Sequence, residues 1–241
     1  MQSTPKISVI IPTLNEEKLI TQTLSQFTPQ LKQKYSIEIV ISDGGSTDNT
    51  LNMLHPAADK IVLKDPAIHQ NISMGRNAGA KAASGSLLYF FNADTIIEDA
   101  EKFFKTTSEA FNDEKNLALT CRFHVFPEDV KLSDNLFHGF YNTYVRLLNA
   151  AGMGMGRGEC HMIRSEIFRK VNGYNELLAA GEDYDLYRRI KKLGIGRIKF
   201  LNSLRVFESP RRYRKFGYMS VFKDWTKNSF SVFFKNKSVS K

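Results

Sequence analysis

The first hundred residues alternate short apolar, β-branched runs with segments of helical periodicity. Residues 7–11 form a run of the buried-strand kind, closed by Pro12, and residues 16–27 repeat apolar positions at helical spacing. A second strand is predicted over 37–41, stopping at Asp43-Gly44-Gly45, with Ser46 or Thr47 placed to cap a helix to about residue 54. A short strand at 60–63, a helix at 72–83 and a strand at 86–91 follow, the last ending at Asn92-Ala93-Asp94. This rhythm predicts an α/β fold, a mostly parallel sheet flanked by helices. Such sheets bind ligands beyond the carboxyl ends of their strands. Three of those ends carry polar clusters: Thr13-Leu14-Asn15-Glu16, Asp43-Gly44-Gly45-Ser46 and Asn92-Ala93-Asp94.

The second half is less regular. Residues 117–125 read as a strand and 136–148 as an apolar, aromatic helix with few charges. Gly152, Gly154, Gly156 and Gly158 mark a loop, and residues 162–172 and 184–193 read as helical in whole or part. No internal repeat or low-complexity stretch is present.

Composition adds three constraints. Two cysteines, Cys121 and Cys160, cannot make a disulfide framework and read as reduced thiols, which points to a cytoplasmic protein. The N-terminus has too short an apolar run for a signal peptide, and no stretch nears the ~20 residues that span a bilayer. The net charge of +9 is concentrated: residues 205–241 hold ten Lys/Arg against two Asp/Glu. A basic tail suits nucleic acid, anionic lipid or phosphorylated substrates.

The polar clusters supply the chemistry. Asp43 is placed to accept from a nucleobase or ribose while Gly44 lets backbone approach, or simply to cap a turn. Asp94, at the rim of the apolar strand Leu-Leu-Tyr-Phe-Phe, suits a hard divalent cation, with Asn92 as a poorer oxygen donor; a turn residue is the plain alternative. Glu182, Asp183 and Asp185 crowd a helix start, where negative charge is stabilised in any case, or where one of them serves as a general base. Arg76 faces phosphate or solvent, and the Ser209-Pro210-Arg211-Arg212 cluster suits a diphosphate or lipid phosphate. Of the five histidines, His55, His69, His124, His138 and His161, most read as surface or packed residues rather than ligands, with His161 left open between the two.

Taken together, these segments resemble the family 2 glycosyltransferases, which have the GT-A fold. ISVIIPTLNEE resembles the family's first strand and nucleotide loop, and IEIVISDGGSTDNT its second, whose aspartate, here Asp43, contacts the base. GRNAGAKAASGSLLYFFNADT resembles the run into the metal-binding Asp-x-Asp, and GECHMIRSEIFRKVNGYNELLAAGEDYDL the acceptor region ending in a Glu-Asp pair. The resemblance implies an inverting hexosyltransferase using a nucleotide-sugar donor. Pro12, Thr13, Asn15, Glu16, Asp43, Gly44, Arg76, Asn92, Arg211 and Arg212 would lie on the donor side. Asp183 would be the base with Glu182 beside it, and Asp94 the ligand of Mg2+ or Mn2+. The sequence departs from the pattern at Asn92, which replaces the first aspartate and implies weaker metal binding.

The implied division is a GT-A domain over 1–214, with a nucleotide-binding half (1–97) and an acceptor half (98–214), then an amphipathic basic tail (215–241). On a helical wheel, Tyr218, Met219, Val221, Phe222, Trp225, Phe230, Val232 and Phe233 share one side of the tail. That face suits an anionic membrane surface, with a polyprenyl-phosphate or glycan acceptor, and hence a peripheral protein on the cytoplasmic face of a membrane. Docking on its own domain or in a homodimer is the alternative. Helical rather than platform spacing of the aromatics argues against nucleic acid. Two rival classes are a non-catalytic nucleotide-sugar or lipid-binding module and a nucleotidyltransferase, the latter disfavoured by the acidic loop PTLNEE.

Overall fold

The computed structural model describes residues 6–54, 57–178 and 180–235, with side chains described through residue 228. The first half runs β1 (Ile7–Thr13), α1 (Ile20–Ser25), α2 (Pro29–Tyr35), β2 (Ile37–Asp43), α3 (Thr50–Leu54), β3 (Lys60–Leu63), α4 (Ile72–Ala82), β4 (Leu87–Phe91). The second half runs β5 (Ile96–Ile97), α5 (Ala100–Phe111), β6 (Asn116–Val125), α6 (Leu132–Ala150), β7 (Cys160–Arg164), α7 (Ser165–Lys170), α8 (Glu182–Lys192), β8 (Arg197–Glu208), α9 (Arg211–Phe216), α10 (Tyr218–Lys235). All eight strands form one sheet in the order β3-β2-β1-β4-β7-β6-β8-β5.

The strands β3, β2, β1 and β4 are parallel, as the alternating pattern predicts; β7 then runs antiparallel to both β4 and β6. The sheet is buried on both faces. Ile7, Val9 and Ile11 of β1 enter one core with Phe103 and Phe104 of α5, and Ile10 enters the other with Ala80 of α4 and Leu186 of α8. Pro12 lies inside β1 rather than ending it. The missing N–H costs no ladder bond to β4, because that pairing stops at Ile10.

Several elements differ from the sequence reading, each for a local reason. The helix expected over 46–54 begins only at Thr50, because Asp48, not Ser46 or Thr47, accepts from the Thr50 N–H at 3.0 Å. Helix α2 is an additional element, started by Thr28 accepting from the Leu31 N–H and by Pro29 in the first turn. Residues 162–172 split between the central strand β7 and the short helix α7. Strand β8, twelve residues long and beside β6, is a further addition. At the carboxyl edge, α6 and α10 pack together around Tyr141, Val145, Trp225 and Phe222.

Candidate active site

The loops after β1, β2 and β4 are laced into one rim. Thr13 Oγ1 donates to Asp43 Oδ1 at 3.1 Å, and the Gly44 N–H donates to the Thr13 carbonyl at 2.8 Å. Asn15, held at a left-handed φ of 54°, accepts from the Thr47 N–H at 2.8 Å, and its own N–H donates to Ser46 Oγ at 2.9 Å. Asp43 is 1% exposed, and its other bonds accept from the Gly45 N–H, the Ser46 N–H and Ser46 Oγ. Its carboxylate is thus filled by protein donors that shape the loop. A cavity of about 370 Å³ opens beside it, lined by Pro12, Thr13, Glu16, Gly44, Asn92 and Asp94 among others. Asn15 and Asp43 are not among the lining residues and act on the loop instead.

A second cavity of about 320 Å³ shares Ile72 and Asn92 with the first, so the two form one cleft. Its walls carry Arg76, Glu182, Asp183 and Arg212. Arg76 is 2% exposed and donates to Glu182 Oε1 at 2.8 Å, to Asn92 Oδ1 at 3.0 Å and to the Gly158 carbonyl at 2.6 Å. It is a brace joining α4, the end of β4 and the start of α8 rather than a solvent-facing cation. Asp183 accepts from the Gly158 N–H at 3.1 Å. Burial, reinforced by the neighbouring Glu182 charge, pushes its carboxyl up to about 7. Asp185 points elsewhere and pairs with Arg189 at 2.7 Å.

Between the cavities and the solvent, Arg211 Nη2 lies 3.3 Å from both Glu16 Oε2 and Asp94 Oδ2. Burial raises both carboxyls despite that guanidinium. Two carboxylates converging on one cation fit a divalent ion, since Mg2+ takes one or two carboxylates and completes its shell with substrate phosphates and water. Asn92 is not free to help, because its oxygen is taken by Arg76. Among the described residues no cluster of three or more His, Cys, Asp or Glu side chains is arranged to hold a metal on its own.

A buried ionic group that the sequence reading missed backs the second cavity. Arg157 donates to Glu208 Oε1 at 2.6 Å and Glu159 Oε1 at 3.2 Å, with the Tyr213 hydroxyl also donating to Glu208. Burial pushes the Glu208 carboxyl up to about 8 against the opposing pull of Arg157, and the neighbouring Glu159 charge adds to the rise. The only sequence signal was the arginine and glutamate set among the loop glycines 154–158. Of the described histidines, His161 is buried against Tyr174 and Tyr187, the buried His138 stacks on the half-buried His124, and His69 is exposed. His55 lies outside the described residues.

This curled, half-parallel sheet with an acidic cleft at its carboxyl edge is the GT-A fold of nucleotide-sugar enzymes. A solved mannosyltransferase from Pyrobaculum calidifontis, in complex with GDP-Man and Mn2+, superposes with a TM-score of 0.69 at 20% identity, over 95% of this chain and 63% of that one. Glucosyl-3-phosphoglycerate synthase from Mycobacterium tuberculosis, in complex with Mn2+, UDP and phosphoglyceric acid, gives a TM-score of 0.65 at 16% identity, over 95% of this chain and 77% of that one. The family model for glycosyl transferase family 2 matches residues 8–171, and the chain belongs to that family. A probable glycosyltransferase of Bacillus subtilis, YdaM, is 27% identical over 210 residues, which are 80% of this chain and 48% of that protein. The poly(ribitol-phosphate) beta-N-acetylglucosaminyltransferase TarS of Staphylococcus aureus is 36% identical over 95 residues, 38% of this chain and 17% of TarS. The chain therefore spans about half or less of these curated relatives' length.

Proposed function

We propose that the protein is an inverting glycosyltransferase that moves a hexose from a nucleoside-diphosphate sugar to an acceptor oxygen. The observation that carries this reading is the continuity of the two cavities through Asn92, with a raised carboxyl, Asp183, on the far wall from the loops of β1 and β2. The nucleoside diphosphate lies in the first cavity against Pro12, Thr13, Glu16 and Gly44, on a loop whose shape Asp43 and Asn15 maintain. Its sugar reaches toward the second cavity, over Arg76 and Glu182. Asp183, unpaired with any cation among the described residues, removes the acceptor proton as its oxygen attacks the anomeric carbon from the face opposite the diphosphate.

Asp94, with Glu16 alongside, would hold a divalent cation, whose chemistry is to neutralise charge building on the leaving diphosphate. Arg211 and Arg212 stand at the same opening and add positive charge there. The division into a nucleotide-binding half, an acceptor half and a basic tail follows from this assignment. A lipid-linked acceptor at a cytoplasmic membrane face is supported by the basic tail; with a lipid phosphate itself as acceptor, already ionised, Asp183 would orient the acceptor or the sugar rather than take a proton. Among the described residues no helix is long and apolar enough to cross a membrane.

The experiment is release of nucleoside diphosphate from a panel of nucleotide sugars with added acceptors, comparing wild type with Asp183→Asn. A donor that is consumed by wild type and bound but spared by the variant supports the reading. Binding without turnover of any donor supports instead the non-catalytic module.

A further inference from the structure

Helix α6 is amphipathic in an unusual sense. Its inner face buries Asp134, His138, Tyr141, Asn142 and Val145. Its outer face presents Leu132 at 76% exposure, Leu136 at 67%, Phe140 at 57% and Leu147 at 59%, with Tyr144 between the last two. These positions, spaced by three and four residues, form one stripe along the helix, interrupted only by the uncharged Ser133 and Thr143. A continuous exposed apolar strip of five large side chains is more than a monomeric soluble surface ordinarily tolerates.

The flank of the stripe is basic. Helix α10 packs along α6, with Phe222 against Phe140 at 5.9 Å between ring centres and Trp225 against Tyr141 at 5.2 Å. Val221 is buried and Tyr218 stacks against Phe137 and Tyr213, so the described part of the tail's aromatic face is mostly spent on the protein itself. What α10 leaves outward is Met219, Lys223 and Lys227, and Lys131, Arg146 and Lys215 are also exposed; Glu128, Asp129 and Asp224 are the exposed acidic neighbours.

We infer that the outer face of α6, edged by the lysines of α10, is the surface that seats on an anionic lipid membrane. An uncharged apolar strip about one helix long beside a row of cations matches an interface-lying helix, which buries its apolar side at the headgroup boundary and pairs its basic edge with anionic lipid. The placement is productive. Tyr141, on the inner side of the same helix, lines the cavity that holds Asp183. One helix diameter, about 10 Å, then separates the lipid surface from the acceptor side of the cleft. The inference rests on the proposed transferase activity only for the lipid-linked nature of the acceptor.

The test is co-sedimentation of the full chain with phosphatidylcholine vesicles, with and without phosphatidylglycerol, for wild type and for Leu136→Ser/Phe140→Ser/Leu147→Ser. Wild type binds the anionic vesicles, and the triple variant binds at least about tenfold more weakly, as the loss of one buried large apolar side chain alone would give. Leu132→Ser/Leu136→Ser, at the two most exposed sites, gives an intermediate loss and guards against misfolding of the triple variant. A nucleoside-diphosphate melting shift on the same samples reports the cleft separately, so failure of the transferase reading is distinguishable. Equal binding by wild type and variants overturns the inference, as does wild type that stays free of vesicles. A wild-type dimer that ignores vesicles and that the variants split would give the stripe to a second copy of the chain.

Discussion

Arg76 donates to Glu182 at 2.8 Å, and that pairing leaves the adjoining carboxylate, Asp183, without a cation of its own among the described residues. Two neighbouring acids at one helix start thus receive opposite treatments. Glu182 is the anchor of a buried brace, while burial and the Glu182 charge raise Asp183 to about 7. A group poised there is half-deprotonated near neutral pH, which suits a general base.

The pH profile follows. Asp183 works only when deprotonated, so kcat/KM rises about tenfold per pH unit below 7 and levels off above it. Asp183→Asn lowers turnover at least about a hundredfold, leaves donor affinity within about twofold and removes that limb. Initial rates from pH 5 to 9 check this, and unchanged turnover in the variant removes Asp183 from the mechanism.

The brace makes a stability prediction. Arg76→Met strands the largely buried Glu182 and costs about 3–5 kcal/mol, because one partner of a buried pair is removed. Adding Glu182→Leu recovers most of the loss. Urea denaturation of the single and double variants measures both; a single variant as stable as wild type would refute the assigned role of the pair.

At the mouth of the cleft, Arg211 competes for Asp94. Arg211→Ala removes a half-exposed guanidinium, an interaction worth about 0.2–1 kcal/mol, so free Mn2+ binds up to about fivefold more tightly. The same variant binds nucleoside diphosphate more weakly. Mn2+ titration followed by electron paramagnetic resonance separates the two effects, and unaltered Mn2+ affinity would show that Arg211 is not the competitor.

The sheet side of the fold is equally testable. A Cβ at Gly79 of α4 would stand 2.5 Å from Ile10 Cγ2 of β1. Gly79→Ala is expected to cost about 1–3 kcal/mol by overpacking, a fall of several degrees at about 2–4 °C per kcal/mol in a domain of this size. Differential scanning calorimetry reads it; an unchanged melting temperature would mean that α4 can shift away from β1 at no cost.

Much of the nucleotide half was legible because its signals are local. Each strand of β1 to β4 holds a short apolar run with polar residues within a position or two of its end, so the polar clusters fell at the carboxyl ends by inspection, although β1 and β2 run on through Pro12 to Thr13 and through Ser42 to Asp43. The acceptor half was harder to read. Residues 162–164 fall in the stretch 162–172 that reads as helical in whole or part, and they join the strand β7 because β4 and β6 offer edges on both sides. Arg157 and Glu159 share one loop, but Glu208 comes from the end of β8, and nothing in the spacing announces that one buried arginine will gather both carboxylates. Asp43 was legible as a site residue by position. That its carboxylate is filled by Thr13, Gly45 and Ser46 depends on the path of two loops, which the sequence alone does not trace.

The most direct measurement is the melting temperature of wild type and Asp43→Ala against UDP and GDP, with and without Mn2+. Asp43 makes four bonds within the loop beside the first cavity, so the account predicts a concentration-dependent rise for at least one nucleoside diphosphate in wild type, larger with Mn2+ and lost in the variant. A wild-type protein that melts at the same temperature whatever nucleotide and metal are supplied would contradict it.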